Sequence, residues 1–230
     1  HYGRGAPSSA TWARPSMTRN TDPEDLPRSV VDIWIVSAFG DKTCLSDCIR
    51  TLAPSEIERA EGFHAMRDRL RYVVFRSALR RLLGAQLGAP ATDVFFDEGP
   101  SGKPQLAGGH GDTLHFNLSH SGDLAAIALC RSAPVGIDIE HMRELSQCDR
   151  LAKRILSERE HRVFAGLPEA VRSRALLRAW TGKEAYLKGV GCGLSWPMSE
   201  VEVTFTPEAG TRLLGVSGVS GALRTWVLHG

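Results

Sequence analysis

The chain has 230 residues, 42% apolar and 23% charged, enough for a core in one large domain or two small ones. With 28 Lys and Arg against 26 Asp and Glu the net charge is +2, so no global field selects a nucleic acid. Five cysteines, Cys44, Cys48, Cys130, Cys148 and Cys192, are odd in number and lack Cys-x-x-Cys spacing; reduced thiols in a cytoplasmic protein are expected, not a disulfide or zinc framework. No apolar run reaches the ~18 residues of a membrane span, and the first residues do not read as a signal peptide.

Residues 1–28 are rich in Pro, Gly, Ser and Thr and read as a flexible lead-in. "VVDIWIVSAF" reads as a first strand near 30–39. In "LAPSEIERAEGF", Ser55 is expected to cap a helix, with Glu58 completing a capping box. "MRDRLRYVVFRSALRRLLGAQLG" is the clearest helix: Leu70, Val73, Val74, Ala78 and Leu82 form an apolar stripe, and Gly84 or Gly88 ends it. Seven arginines against Glu61 and Asp68 lie between Arg59 and Arg81. Phosphate binding by Arg67, Arg71 and Arg81 is one reading of this run; a solvated helix face is the plainer one.

"DVFFDEGPSGKPQLAGG" reads as a short strand and a turn-rich loop that presents Lys103 between Gly102 and Pro104. "TLHFNLSHSGDLAAIAL" reads as two strands around a Ser-His-Ser-Gly turn. Leu114, Phe116 and Leu118 point one way; His115, Asn117 and Ser119 point the other. "APVGIDIE" is expected to be the next strand. Helices follow, from about Cys148 to Ala165 and from about Glu169 to Val190. "SEVEVTF" and "LRTWVLHG" are strand-like. This mixture without regular alternation predicts an α+β fold.

Two patterns bear on chemistry. On a strand Asp138 and Glu140 share one face, where they repel unless both are hydrated or a hard divalent cation lies between them. On a helix Trp180, Glu184 and Lys188 share a face at i, i+4 and i+8. Glu184 is a candidate third oxygen ligand and Lys188 a candidate phosphate contact, against the alternative of an exposed Glu–Lys pair. The Gly-flanked "FNLSHSG" suits an anion, though a lone histidine such as His120 is more often structural. No phosphate-binding loop and no G-x-S-x-G elbow occur.

Taken in order, "GKP", "FNLSHSG", "VGIDIE" and "WTGKEAYLKG" resemble the 4′-phosphopantetheinyl transferases of the Sfp type. The similarity runs from about Val31 to Phe205. The resemblance implies a pseudo-dimer of two similar α/β half-domains, residues 29–134 and 135–230, with the active site in the cleft between them. It implies a monomer that transfers the 4′-phosphopantetheine arm of coenzyme A to a serine of an acyl, peptidyl or polyketide carrier protein, with Mg²⁺. Adenosine 3′,5′-bisphosphate would leave. Asp138, Glu140 and Glu184 match the metal ligands, and Glu184 also matches a proposed general base. Lys188 matches a lysine beside the pyrophosphate, and Lys183 is expected near phosphate as well.

By the same resemblance, Ser119, His120 and Arg71 surround the 3′-phosphate, Lys103 lies near the nucleotide and Arg59 lies near the phosphates. Arg69, Arg76 and Arg80 remain ordinary surface residues. Carrier docking is expected at Arg150, Lys153 and Arg154, with Ile155 and Leu156 as apolar contacts. The family also implies a further strand after "LRTWVLHG", so the second half is expected to lack its last strand. Two other readings compete: a coenzyme A- or carrier-binding protein without turnover, and an unrelated Mg²⁺-dependent phosphodiester enzyme.

Overall fold

The computed structural model describes residues 30–39, 44–99, 102–192, 196–206, 208–219 and 221–230; the expected lead-in, 1–28, lies outside them. Strand β1 (Val31–Ser37) forms the edge of a three-stranded antiparallel sheet, order β1-β5-β4, with β4 (His115–Ser121) and β5 (Leu124–Cys130). Their register pairs Ser119 with Ala126, and Ile35 also with Ala126. The turn is Gly122–Asp123, with Gly122 at φ 59. Ser119, His120 and Ser121, expected in that turn, are instead the end of β4. The positive φ falls on the one residue there without a Cβ.

Against one sheet face lies α3 (Met66–Leu87), 22 residues long and closed by Gly88 in the left-handed region. Val74, Phe75, Ala78, Leu79 and Leu83 of α3 meet Phe116, Ala125, Ile127 and Leu129 of the sheet in the first core. Short helices α1 (Leu45–Ile49) and α2 (Pro54–Glu61) precede it, and a hairpin, β2 (Phe96–Glu98) with β3 (Pro104–Leu106), follows. In α2 the cap sits two residues before the expected Ser55. Pro54 opens the helix, and the Glu56 carboxylate accepts from Ala53 N at 2.8 Å. Pro lacks the N–H that a first-turn position leaves unpaired anyway, so it suits this start.

The second half repeats the two short helices, long helix and hairpin of this plan, without a three-stranded sheet among the described residues. The stretch expected as one helix, Cys148 to Ala165, is two: α4 (Cys148–Ile155) and α5 (Glu158–Ala165). Ser157 breaks them because it caps α5, accepting from Glu160 N while Glu160 accepts from Ser157 N. Helix α6 (Glu169–Val190) has 22 residues and ends at Gly191, φ 80. A hairpin, β6 (Val201–Val203) with β7 (Leu213–Val216), follows. "LRTWVLHG", expected as a strand, holds the end of α7 (Ala222–Thr225) and an irregular tail. The second core joins Ala152, Ile155, Leu156, Phe164, Leu176, Tyr186 and Val203. Ile155 and Leu156, at 4% and 5% exposure, are therefore core residues and not the expected docking contacts.

A buried ion pair marks the repeat. Glu56, third residue of α2, binds Arg80, the fifteenth residue of α3. Glu160, third residue of α5, binds Lys183, the fifteenth residue of α6. Each cation also donates to backbone carbonyls at the 3₁₀ turn after its long helix: Arg80 to Ala91 O and Val94 O, Lys183 to Met198 O. Arg80 is 2% exposed, and Arg76 joins it on Glu56 while lying 4.0 Å over the Phe96 ring. Neither is the ordinary surface arginine expected. Their alkyl and guanidinium surfaces fill space between α2, α3 and the hairpin.

The "VGIDIE" segment is extended but is not the expected strand. It crosses the second face of the sheet instead of pairing at its edge. Its N–H groups at Ile137, Ile139 and His141 donate to the side chains of Asn117, Ser119 and Ser121 at 2.8, 3.3 and 2.9 Å. Side chains stand perpendicular to a sheet, so a segment lying across its face bonds to them and not to backbone.

Candidate active site

The alternation of β4 sends Asn117, Ser119 and Ser121 to the face crossed by residues 137–141, and Phe116, Leu118 and His120 to the face of α3. Ser119 Oγ donates to Asp138 Oδ1 at 2.7 Å and Ser121 Oγ to Glu140 Oε2 at 3.0 Å. The two acids do share a face, as their spacing predicts. Helix α6 brings Trp180, Glu184 and Lys188 to the same place. All five side chains line one cavity of about 290 Å³, with Leu118, Ser119 and His120.

One of the three acids is paired there with a lysine. Lys188 Nζ lies 2.5 Å from Asp138 Oδ1 and 3.2 Å from Ser119 Oγ. Asp138 Oδ2 is buried and has no hydrogen-bond partner. Burial raises the Glu184 carboxyl's pKa; Lys188 opposes this, while Asp138 and Glu140 add to it. Among the described residues no three acid, imidazole or thiol groups are gathered closely enough to hold a metal ion. Asp138, Glu140 and Glu184 therefore share a cavity without forming a closed ligand set. The donor set still fits a hard divalent cation: three carboxylates, one with a buried lone oxygen, and hydroxyls behind them.

A larger cavity of about 1000 Å³ lies beside α3 and shares Leu118 and His120 with the first. Arg59, Arg71 and His120 line it. His120 is exposed and stacks on Phe75, with centroids 5.8 Å apart. Arg59 lies 5.6 Å over the Tyr72 ring and has no carboxylate partner among the described residues. Arg71 is engaged already: it donates to Asp123 at 2.7 Å and to Asp68 at 2.8 Å. Asp123 also holds Arg67, and hydrogen bonds from both arginines lower its pKa. Arg81 turns elsewhere, to Ser77 Oγ and Asp47 O.

Three expected phosphate contacts point away from these cavities or are already committed. Lys183 is fully buried, its Nζ on Ile155 O, Glu160 and Met198 O; it is a core cation. Ser119 lines the smaller cavity and not the larger one, and its hydroxyl is spent on Asp138 and Lys188. Lys103 donates to Val135 O at 3.0 Å and Gly189 O at 3.4 Å. Sequence reasoning missed the acceptor row Asn117, Ser119, Ser121, although a polar residue at every second strand position was its visible sign.

Family models cover both halves. One described as "4'-phosphopantetheinyl transferase, N-terminal" matches residues 41–132, and one described as "4'-phosphopantetheinyl transferase superfamily" matches residues 134–225. The chain is 36% identical to 4′-phosphopantetheinyl transferase HetI of Nostoc sp., over 80% of this chain and 77% of the relative. It is 28% identical to 4′-phosphopantetheinyl transferase Sfp of Bacillus subtilis over 66% of each chain. It is 27% identical to the human L-aminoadipate-semialdehyde dehydrogenase-phosphopantetheinyl transferase over 69% of this chain and 54% of the relative. With both halves matched and the α+β pseudo-dimer in place, the chain belongs to the two-domain 4′-phosphopantetheinyl transferases of the Sfp and HetI type.

Proposed function

We propose that this transferase moves the 4′-phosphopantetheine arm of coenzyme A to the serine hydroxyl of an apo acyl, peptidyl or polyketide carrier protein, with Mg²⁺ at Asp138, Glu140 and Glu184. The observation that carries this reading is the junction of the two cavities at Leu118 and His120. A nucleotide held beside α3 would place its pyrophosphate at the carboxylates. Arg59 and His120 line the larger cavity and would hold phosphate there. Bound at the three acids, the cation would neutralise charge on the pyrophosphate during P–O cleavage.

The chain's own residues supply the rest. Glu184, a stronger base than an ordinary carboxylate because it is buried, takes the serine proton directly or through a water. The serine oxygen forms the new bond to the pantetheine-side phosphorus. The bond from that phosphorus to the bridging oxygen breaks, and adenosine 3′,5′-bisphosphate leaves with the electron pair. Lys188, already 2.5 Å from Asp138, offers its charge to the departing oxygen. Arg150, Lys153 and Arg154 are exposed and suit an acidic carrier helix. Met142, 51% exposed and two residues from Glu140, takes the apolar role expected of Ile155 and Leu156.

The test is the mass of an apo carrier protein after incubation with the protein, coenzyme A and Mg²⁺. A gain of one phosphopantetheine supports transfer. Coenzyme A binding without any gain across several apo carriers contradicts it and favours the binding-protein reading.

A further inference from the structure

Residues 135–141 and the end of α6 cross at two glycines. A Cβ on Gly136 would overlap Ala185 O and Gly189 N, and one on Gly189 would come within 2.6 Å of the Trp226 ring. The segment therefore rests directly on the helix backbone. Lys103 sits on this crossing. It comes from the β2–β3 turn in the N-terminal half, beside Gly102 at φ 75. Its stem passes Gly191, where an added Cβ would lie 3.8 Å from Lys103 Cδ. Its ammonium reaches one carbonyl on each side of the crossing, Val135 O and Gly189 O.

Gly189 O belongs to the last turn of α6, whose carbonyls lack helical partners and favour a cation. Val135 is buried against Ala128 and Cys130 of the sheet. The consequence lies in the neighbours. Lys188 precedes Gly189 by one residue, and Asp138 follows Val135 by three. These are the two groups joined across the smaller cavity. A tie between their backbones fixes where their side chains meet.

We infer that Lys103 is a positioning residue: a clamp from the N-terminal half that holds the Asp138 segment against the Lys188 turn, and so sets the geometry of the acid site. Through the role given to Asp138 and Lys188, this rests on the proposed function. It replaces the nucleotide contact that the GKP motif suggests. The ammonium is half-buried, and burial lowers its pKa, as suits a group turned toward backbone carbonyls and away from solvent.

The test compares wild type with Lys103→Met and Lys103→Arg in the full chain. Amide hydrogen exchange is read in residues 135–141 and 185–190, with Mn²⁺ affinity by paramagnetic resonance, coenzyme A affinity without divalent cations, and kcat. Lys103→Met is expected to speed exchange in both stretches about tenfold and leave α3 unchanged. It is expected to weaken Mn²⁺ binding and lower kcat about tenfold, with coenzyme A affinity within about twofold. Lys103→Arg is expected to recover most of each loss. Three outcomes overturn the inference: unchanged exchange in both stretches; equal acceleration in α3, which means general destabilisation; or a loss confined to coenzyme A affinity, which means direct nucleotide contact. Absence of Mn²⁺ binding in wild type would count against the proposed cation site, while exchange would still decide the clamp.

Discussion

Lys188 Nζ lies 2.5 Å from Asp138 Oδ1, while Asp138 Oδ2 is buried with no partner. One oxygen is thus neutralised by the helix, and the other is buried without a partner in a residue that lines the cavity with Glu140 and Glu184. The pair relieves the repulsion among three acids without filling the site. A positive charge from outside would complete what the lysine begins.

Asp138→Asn keeps the size of the side chain and removes its charge. Carrier modification should fall by at least about 10²-fold, with coenzyme A affinity in the larger cavity changed only a few-fold. Rate measurements paired with calorimetric titration check this. A variant that modifies carriers at the wild-type rate would contradict the role given to Asp138.

Glu184 should make stability depend on pH in an unusual direction. Its pKa is raised in the folded state, so the folded chain holds that proton more tightly than the unfolded one. Its contribution is therefore fully present below the ordinary carboxyl value of about 4.3. It is lost as pH rises to the raised value, and the loss stays constant beyond. In chelator, Glu184→Gln should melt above wild type near pH ~8 and no higher near pH ~4. Thermal melts at both values test this; a variant that melts lower near pH ~8 would refute it.

Lys183 offers a contrast between stability and activity. Lys183→Met strands the buried Glu160 carboxylate and should cost about 3–5 kcal/mol. The folded fraction should keep the wild-type KM for coenzyme A. Denaturant unfolding and steady-state kinetics separate the two, and a raised KM with unchanged stability would return Lys183 to the phosphates.

Much of the fold was legible. Helix α6 spans the expected Glu169–Val190, because its Trp180, Glu184 and Lys188 spacing and its closing Gly191 are local signals. The strand faces of β4 also follow from alternation alone. What escaped the sequence depends on contacts distant along the chain. Arg80 and Lys183 look like surface cations until Glu56 and Glu160 are seen beneath them. "VGIDIE" has strand composition, yet its hydrogen bonds go to the side chains of β4. Ile155 and Leu156 follow a basic stripe, but the break at Ser157 turns them inward.

Gly136→Ala should be among the most damaging small substitutions in the chain. The added methyl overlaps Ala185 O and Gly189 N and lies 2.8 Å from Gly189 Cα, so backbone has to move. A loss of about 1–3 kcal/mol or more is expected, with transfer falling further than the melt alone explains, because Asp138 moves with the segment. Wild-type melting and activity would show that the crossing is looser than described.

Direct observation of the cation is the sharpest measurement of the central claim. Mn²⁺ is titrated into wild type, Asp138→Asn, Glu140→Gln and Glu184→Gln, with coenzyme A present, and bound ion is read by paramagnetic resonance. A single tightly held ion in wild type, weakened at least about tenfold in each variant, is the predicted result. Equal binding in all four proteins would place the cation elsewhere and contradict the assignment of these carboxylates.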